Sequence, residues 1–460
     1  LLFGSESATD NVLFKNNLDL GGQNESILVT ANSDNSDTAT IYGVISDGSL
    51  TVNDSNHTGT LILTGANTYT GGTTINNGTL VLGKGGSLAA TGAVVDNGTF
   101  DISQSANQTI GDLSGSGTVD LGAHKLTAGT ANSTTFSGTL VDGGLGGGTG
   151  GSLVKQGTGT LTLTGANTFT GGTTVSAGTL ALSGSGSLAA TGAVVDNATF
   201  DISQGGNQTI GDLSGSGTVN LGGQQLTEGT ASNTNFSGTI QDGGLGGGTG
   251  GSLVKQGTGT LTLTGANTYT GGTTVNAGTV ALAGSGSLAA TGAVVDNATF
   301  DISQGGNQTI GDLSGSGTVK LGGQQLTEGT ASNTNFSGTI QDGGLGGGTG
   351  GSLVKQGSGA LVLAGANSYT GGTTISAGAL ILAGGGSLAA TGAVVDNATF
   401  DISGGGNQTI GDLSGSGTVK LGGRQLTTGT VNSTTFSGSL VDGGSRAAAA
   451  AAWSSKARAR

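Results

Sequence analysis

Gly159-Thr160-Leu161-Thr162-Leu163 is the stretch that decides the fold. Its apolar residues alternate with threonine, a period of two that suits a half-buried strand and not a helix. The pattern returns as Gly178-Thr179-Leu180-Ala181-Leu182, Ala198-Thr199-Phe200-Asp201-Ile202 and Gly217-Thr218-Val219-Asn220-Leu221. A weaker member, Gly238-Thr239-Ile240-Gln241-Asp242, precedes Gly259-Thr260-Leu261, where the series restarts. The steps are 19, 20, 19, 21 and 21 residues. One such strand cannot bury its apolar face alone. Stacking successive turns sets Leu161, Leu180, Phe200 and Val219 in one column, with Leu163, Leu182, Ile202 and Leu221 in the next. This predicts an all-β chain, a parallel β-helix (β-solenoid) with about 20 residues per turn and five turns per 100-residue repeat.

The larger repeat is explicit. Residues 151–250 recur as 251–350 with five differences: Phe169/Tyr269, Ser176/Asn276, Leu180/Val280, Ser183/Ala283 and Asn220/Lys320. The organisation therefore reads as repeat 1 over 51–150, repeat 2 over 151–250, repeat 3 over 251–350 and repeat 4 over 351–444. Residues 1–50 form a divergent partial repeat that continues the solenoid, since Leu18-Asp19-Leu20-Gly21 echoes Val119-Asp120-Leu121-Gly122, with a short insertion around Asp34–Thr38. Residues 445–460 are an Ala-rich basic tail, read as a linker helix or a foreign extension. At roughly 4.8 Å between paired strands, each copy adds about 24 Å, and the whole is a rod on the order of 100 Å.

Composition agrees. Of 460 residues 100 are Gly, and Pro, Cys and Met are absent. A strand residue paired on both sides leaves Pro no place, while Gly and Asn serve corners such as Gly165-Ala166-Asn167 and Gly171-Gly172, read as positions of positive φ. The run 243–251 reads as a bulging loop and the most flexible segment. With no Cys there are no disulfides and no thiol chemistry, which suits a chain exported through an oxidising periplasm. A net charge of −14 argues against nucleic acid, whose phosphates call for clustered Lys and Arg. No apolar run is long enough for a membrane-spanning helix, and Leu1-Leu2-Phe3-Gly4 is not a signal peptide.

Lys155-Gln156-Gly157-Thr158 followed by residues 159–175 resembles the autotransporter-associated β-strand repeat, also called the passenger-associated transport repeat. Copies start near residues 55, 155, 255 and 355, and Gly211-Asp212-Leu213-Ser214-Gly215-Ser216-Gly217-Thr218-Val219 is similar to segments that accompany it. The resemblance implies a bacterial surface or secreted passenger exported by an outer-membrane β-barrel, expected in the full precursor.

No residue pattern carries chemistry. Gly184-Ser185-Gly186-Ser187-Leu188-Ala189, with Asp201 beyond, matches a dinucleotide fingerprint, but Gly192 interrupts the helix that a phosphate site needs. Gly83-Lys84-Gly85 lacks the hydroxyl of a P-loop, and Leu245–Gly251 lacks the Asp of calcium-binding nonapeptides. Asp196, Asp201, Asp212, Glu228 and Asp242 read as solvated outward positions or turn caps, because an active site is single whereas these acids are copied. His57 and His124 read as surface residues without partners. Thr160, Thr162 and Thr164 recur as Thr260, Thr262 and Thr264 but become Ala360, Val362 and Ala364, which disfavours a lattice-matched ice-binding array. No catalytic, cofactor-binding or metal residue is expected. The expectation is a non-catalytic surface rod, spacer or adhesin whose partner is a host, bacterial or abiotic surface. A carbohydrate-active β-helix enzyme is the alternative. Without recognisable caps the ends could also stack into filaments.

Overall fold

The computed structural model describes residues 1–4, 11–31 and 37–444, and the backbone of Trp453–Ser455. Most of the expected insertion near Asp34–Thr38 and of the tail 445–460 lies outside the described residues; Trp453–Ser455 pairs as a strand with Leu426–Thr428. Among the described residues there are strands and turns and no helix, hence none long and apolar enough to cross a membrane. The chain divides into two compact units, Leu1–Gln224 with Gly243–Gly248, and Gln225–Asp242 with Thr249–Arg460. Each is a parallel β-solenoid wound from three sheets, as the period-two pattern requires.

The first apolar column stands as expected. Leu161 faces Leu180, Leu180 faces Phe200, and Phe200 faces Val219, all buried. In the second column Leu163 faces Leu182, but the register then shifts between Ala181 and Ser183, so that Ser183 faces Gln204. Ile202 and Leu221 are nevertheless fully buried, because the bulge bends the strand without turning these side chains outward.

The five-turn copy needs correction. In the first unit, Thr60–Leu63 shares a sheet with Thr79–Leu82, Thr99–Asp101, Thr118–Asp120 and Thr139–Val141. Its counterpart one copy later, Thr160–Leu163, is not the next strand of that sheet. It pairs instead with Thr134–Phe136 on one side and Thr179–Ser183 on the other. The second unit repeats the move: Ala360–Leu363 lies on Thr334–Phe336, while Thr339–Gln341 pairs with Thr318–Lys320. Each copy therefore makes four full windings plus two of the three sheets, which puts roughly 21 residues in a turn. Steps inside a copy are short, such as Thr160 to Thr179, whereas at the junction Thr134 faces Leu161, 27 residues on.

Asn167 explains how the sheet ending at Thr139–Val141 is closed. Its Oδ1 accepts the Leu140 N–H at 2.9 Å, and its Nδ2 donates to the carbonyls of Gly165 and Ser187, both at 2.9 Å. Asn167 is 2 % exposed, and all these polar groups would otherwise be buried without partners. Its part in the corner is hydrogen bonding and not positive φ; among the described residues only Asp47 and Asn53 adopt positive φ outside glycine.

Candidate functional site

The most regular outward feature is the glycine loop after the fifth strand of a copy. In copy 1 the Gly143 N–H donates to the Gly148 carbonyl and the Gly147 N–H to the Gly144 carbonyl, both at 3.0 Å. Asp101 Oδ2 accepts the Leu145 N–H at 2.7 Å, and Ser103 Oγ accepts the Gly146 N–H at 2.7 Å. Asp142 accepts the N–H groups of Gly150 and Gly151 and the Thr170 hydroxyl. A Cβ at Gly144, where φ is +84°, would lie 2.7 Å from Asp101 Oδ1 and from Ser103 Oγ, so only glycine fits. The loop expected to be loosest is thus pinned at both ends. It holds up an exposed leucine, Leu145, and the equivalent loops hold up Leu245 and Leu345.

Beneath this surface lie charges that the sequence reading placed outside. Asp196, Asp201 and Glu228 are at most 1 % exposed, which overturns their assignment as solvated groups; Asp212 and Asp242 are half-buried. Asp201 does act as a turn cap, accepting the Ser203 N–H at 2.9 Å and the Leu245 N–H at 2.8 Å. Asp196 Oδ1 accepts the Ala198 N–H at 3.1 Å, but Oδ2 has no partner, and burial raises its pKa to about 7. Asp96 and Asp296 repeat this arrangement, each again pushed by burial to about 7.

Sequence reasoning missed the lysines altogether. Lys155, Lys255 and Lys355 are each 1 % exposed. Lys155 Nζ donates to the carbonyls of Gln156, Gly157 and Ala177 at 2.6, 2.9 and 3.2 Å. In register with it stands Ala128. At the equivalent place in the later copies Lys255 faces Glu228 and Lys355 faces Glu328, both acids buried. The signal was available: in Ser152-Leu153-Val154-Lys155 the lysine shares the inward phase of Leu153.

Another position varies from copy to copy. Asp101 faces Asp120, and burial, then the Asp101 charge, raises Asp120 to about 6. In copy 2 Asp201 faces Asn220, whose Nδ2 donates to Asp201 Oδ2 at 3.2 Å; in copies 3 and 4 Asp301 and Asp401 face Lys320 and Lys420. The Asp101–Asp120 pair is the arrangement closest to an acid–base dyad. Asp101 spends both oxygens on Ser103 and Leu145, so it serves the loop.

The remaining motifs are placed plainly. Gly184 opens a turn at the end of Thr179–Ser183, with no helix to receive a phosphate, and Gly83-Lys84-Gly85 lies in a turn with Lys84 exposed. His57 is not without a partner: its Nδ1 lies 2.6 Å from Asp54 Oδ1, and this hydrogen bond holds Asp54 below the usual carboxylate range. His124 is half-buried. Among the described residues no three His, Asp or Glu gather as metal ligands.

A three-sheet parallel solenoid built from near-identical copies defines a class, the repeat scaffolds. The passenger-associated-transport-repeat model matches at residues 58–82, 153–182, 253–282 and 353–382, so the chain carries the repeats of autotransporter passengers, as its sequence resemblance implied. Over 85 residues it is 41 % identical to a protein named "Adhesin BmaC autotransporter" of Brucella suis biovar 1 (strain 1330). That match covers 18 % of the chain and 2 % of the relative's length. No solved structure matches. These findings mark the chain as a cell-surface or secreted passenger segment.

Proposed function

We propose that the chain is a non-catalytic segment of a surface passenger, a spacer or adhesive scaffold whose copy number sets its extent. The observation that carries this reading is the motif's change of sheet at each junction. In each unit the motif strand of one copy and that of the next lie in different sheets, so their outward residues leave different sides of that unit's solenoid and not one face. Such a display suits a scaffold met from any side, and it removes the flat, aligned array that ice binding would require. The relative's name supports an adhesive role, with a host, bacterial or abiotic surface as the partner and a membrane β-barrel in the full precursor. Deleting residues 151–250 tests the reading, because the new junction keeps Ala128 in register with the next buried lysine. The shortened chain should fold, and in the precursor it should still be displayed, with adhesion or reach reduced in proportion. Complete loss of function in a folded, displayed deletion, or reproducible release of sugars from a polysaccharide panel, would contradict it. End-to-end stacking is checked separately by light scattering at rising concentration, where uniform single particles would remove it.

A further inference from the structure

Glu328 is the least explained group in the molecule. It is 0 % exposed, no side chain hydrogen-bonds either carboxylate oxygen, and the backbone N–H of Leu313 acts on it. A buried acid left so costs several kcal/mol as an anion and demands an explanation. Its register partner across the turn is Lys355, 1 % exposed, whose Nζ donates to the carbonyls of Gln356 and Gly357. The copy before has the same pairing, with Lys255 Nζ 4.0 Å from Glu228 Oε1. Bond formation needs Nζ within roughly 3–3.5 Å of Cδ, so each pair must close from its resting separation.

We propose that Glu328 and Lys355 condense to an intramolecular isopeptide bond that fastens adjacent turns, and that Glu228 and Lys255 do the same. The Nζ lone pair of the neutral amine attacks Cδ of the protonated acid and forms the N–C bond. The nitrogen gives up one proton. That proton passes to the departing hydroxyl, the C–O bond breaks with its electron pair, and water leaves. No oxidant or cofactor is needed. Burial favours the neutral forms of both reactants: Glu328 is raised to about 7 and Lys355 is lowered. The product replaces two buried ionisable groups with one amide, and it supplies a covalent staple in a chain with no cysteine. Lys155 is an internal control, because Ala128 in its register offers no acid.

Intact mass of the denatured full chain tests this directly. Two bonds remove two waters, about 18 Da each, and trypsin then fails to cut after Lys255 and Lys355 while still cutting after Lys155. Glu328→Ala copies the natural Ala128–Lys155 arrangement, so it should fold; it should regain one water and restore cleavage after Lys355. Full mass with cleavage at all three lysines would overturn the proposal, as would a deficit that maps to other residues or persists unchanged in Glu328→Ala.

Discussion

Two junctions place the same lysine in the same pocket with different neighbours. Lys155 is surrounded by three backbone carbonyls and faces an alanine, whereas Lys355 faces a buried glutamate. Lysine is the constant and the acid in register is the variable; at Lys155 three carbonyls and the charge of Asp112 favour the ammonium. The acid is an addition to a site that already works. The position opposite Asp101, Asp201, Asp301 and Asp401 varies in the same way, from Asp120 through Asn220 to Lys320 and Lys420. In both places polar residues change from copy to copy while the buried columns beside them stay apolar.

The largest expected effect comes from removing the lysine where an acid faces it. Lys355→Met strands Glu328 as a buried charge and should cost about 3–5 kcal/mol above neutral pH. Lys155→Met, with no acid in register, should cost clearly less, about 1–3 kcal/mol, mainly by leaving carbonyls without a donor. Denaturant titration of both variants measures the gap; equal losses would break the comparison. The Lys355→Met loss should also shrink in acid. Burial raises Glu328 to about 7 even with the Lys355 charge pulling it down, and removing Lys355 raises it further, so the protonated acid is fully stabilising below about pH 4.5 and that contribution is lost only above pH 7.

Next in size is the pH response of the unaltered chain. Asp96, Asp196 and Asp296 are each raised to about 7 from an unfolded value near 3.8. Each then favours folding at low pH, and the contribution falls between about pH 4 and pH 7. The thermal midpoint at pH 5 should therefore exceed that at pH 8. A flat profile would mean that these carboxylates are ionised at no cost. Asp120→Asn should act on the same axis with smaller amplitude. It reproduces the Asn220 bond to Asp201, so it should stabilise above about pH 6, where Asp120 would ionise, and change little at pH 4.

The smallest effect belongs to Tyr269→Phe. The Tyr269 hydroxyl lies 2.6 Å from the Thr273 hydroxyl, both buried, yet copy 2 carries an equally buried Phe169 beside Thr173. The loss should be about 0.5–1.5 kcal/mol by chemical denaturation, the usual worth of one hydrogen bond.

The strands and their inward columns were legible because period two and steps of 19 and 20 residues leave one way to bury Leu161, Leu180, Phe200 and Val219 together. The change of sheet was not, because the step from Gly238 to Gly259 is as long as a turn. Spacing along the chain cannot say whether the glycine loop uses up its residues within one sheet or carries the chain past it. Lys155 and Asp196 stand in inward phase but were read by charge, whereas Asp201, beside inward Phe200, is buried under the glycine loop that it caps. Only coordinates could show that Gln156, Gly157 and Ala177 turn their carbonyls toward Lys155, since backbone orientation leaves no mark in residue type.

The central claim is that each copy falls one sheet short of five turns, and the absence of native thiols makes it directly measurable. Thr135 faces Thr162 across the first junction, with Thr135 exposed and Thr162 half-buried. A simple five-turn copy would instead set Val141 against Thr162. Directly opposed strand positions lie within the Cα separation that a disulfide tolerates. On mild oxidation the Thr135→Cys, Thr162→Cys chain should form an intrachain disulfide, while the Val141→Cys, Thr162→Cys chain should keep two free thiols by thiol titration. The reverse outcome would place successive copies on one sheet and contradict the account.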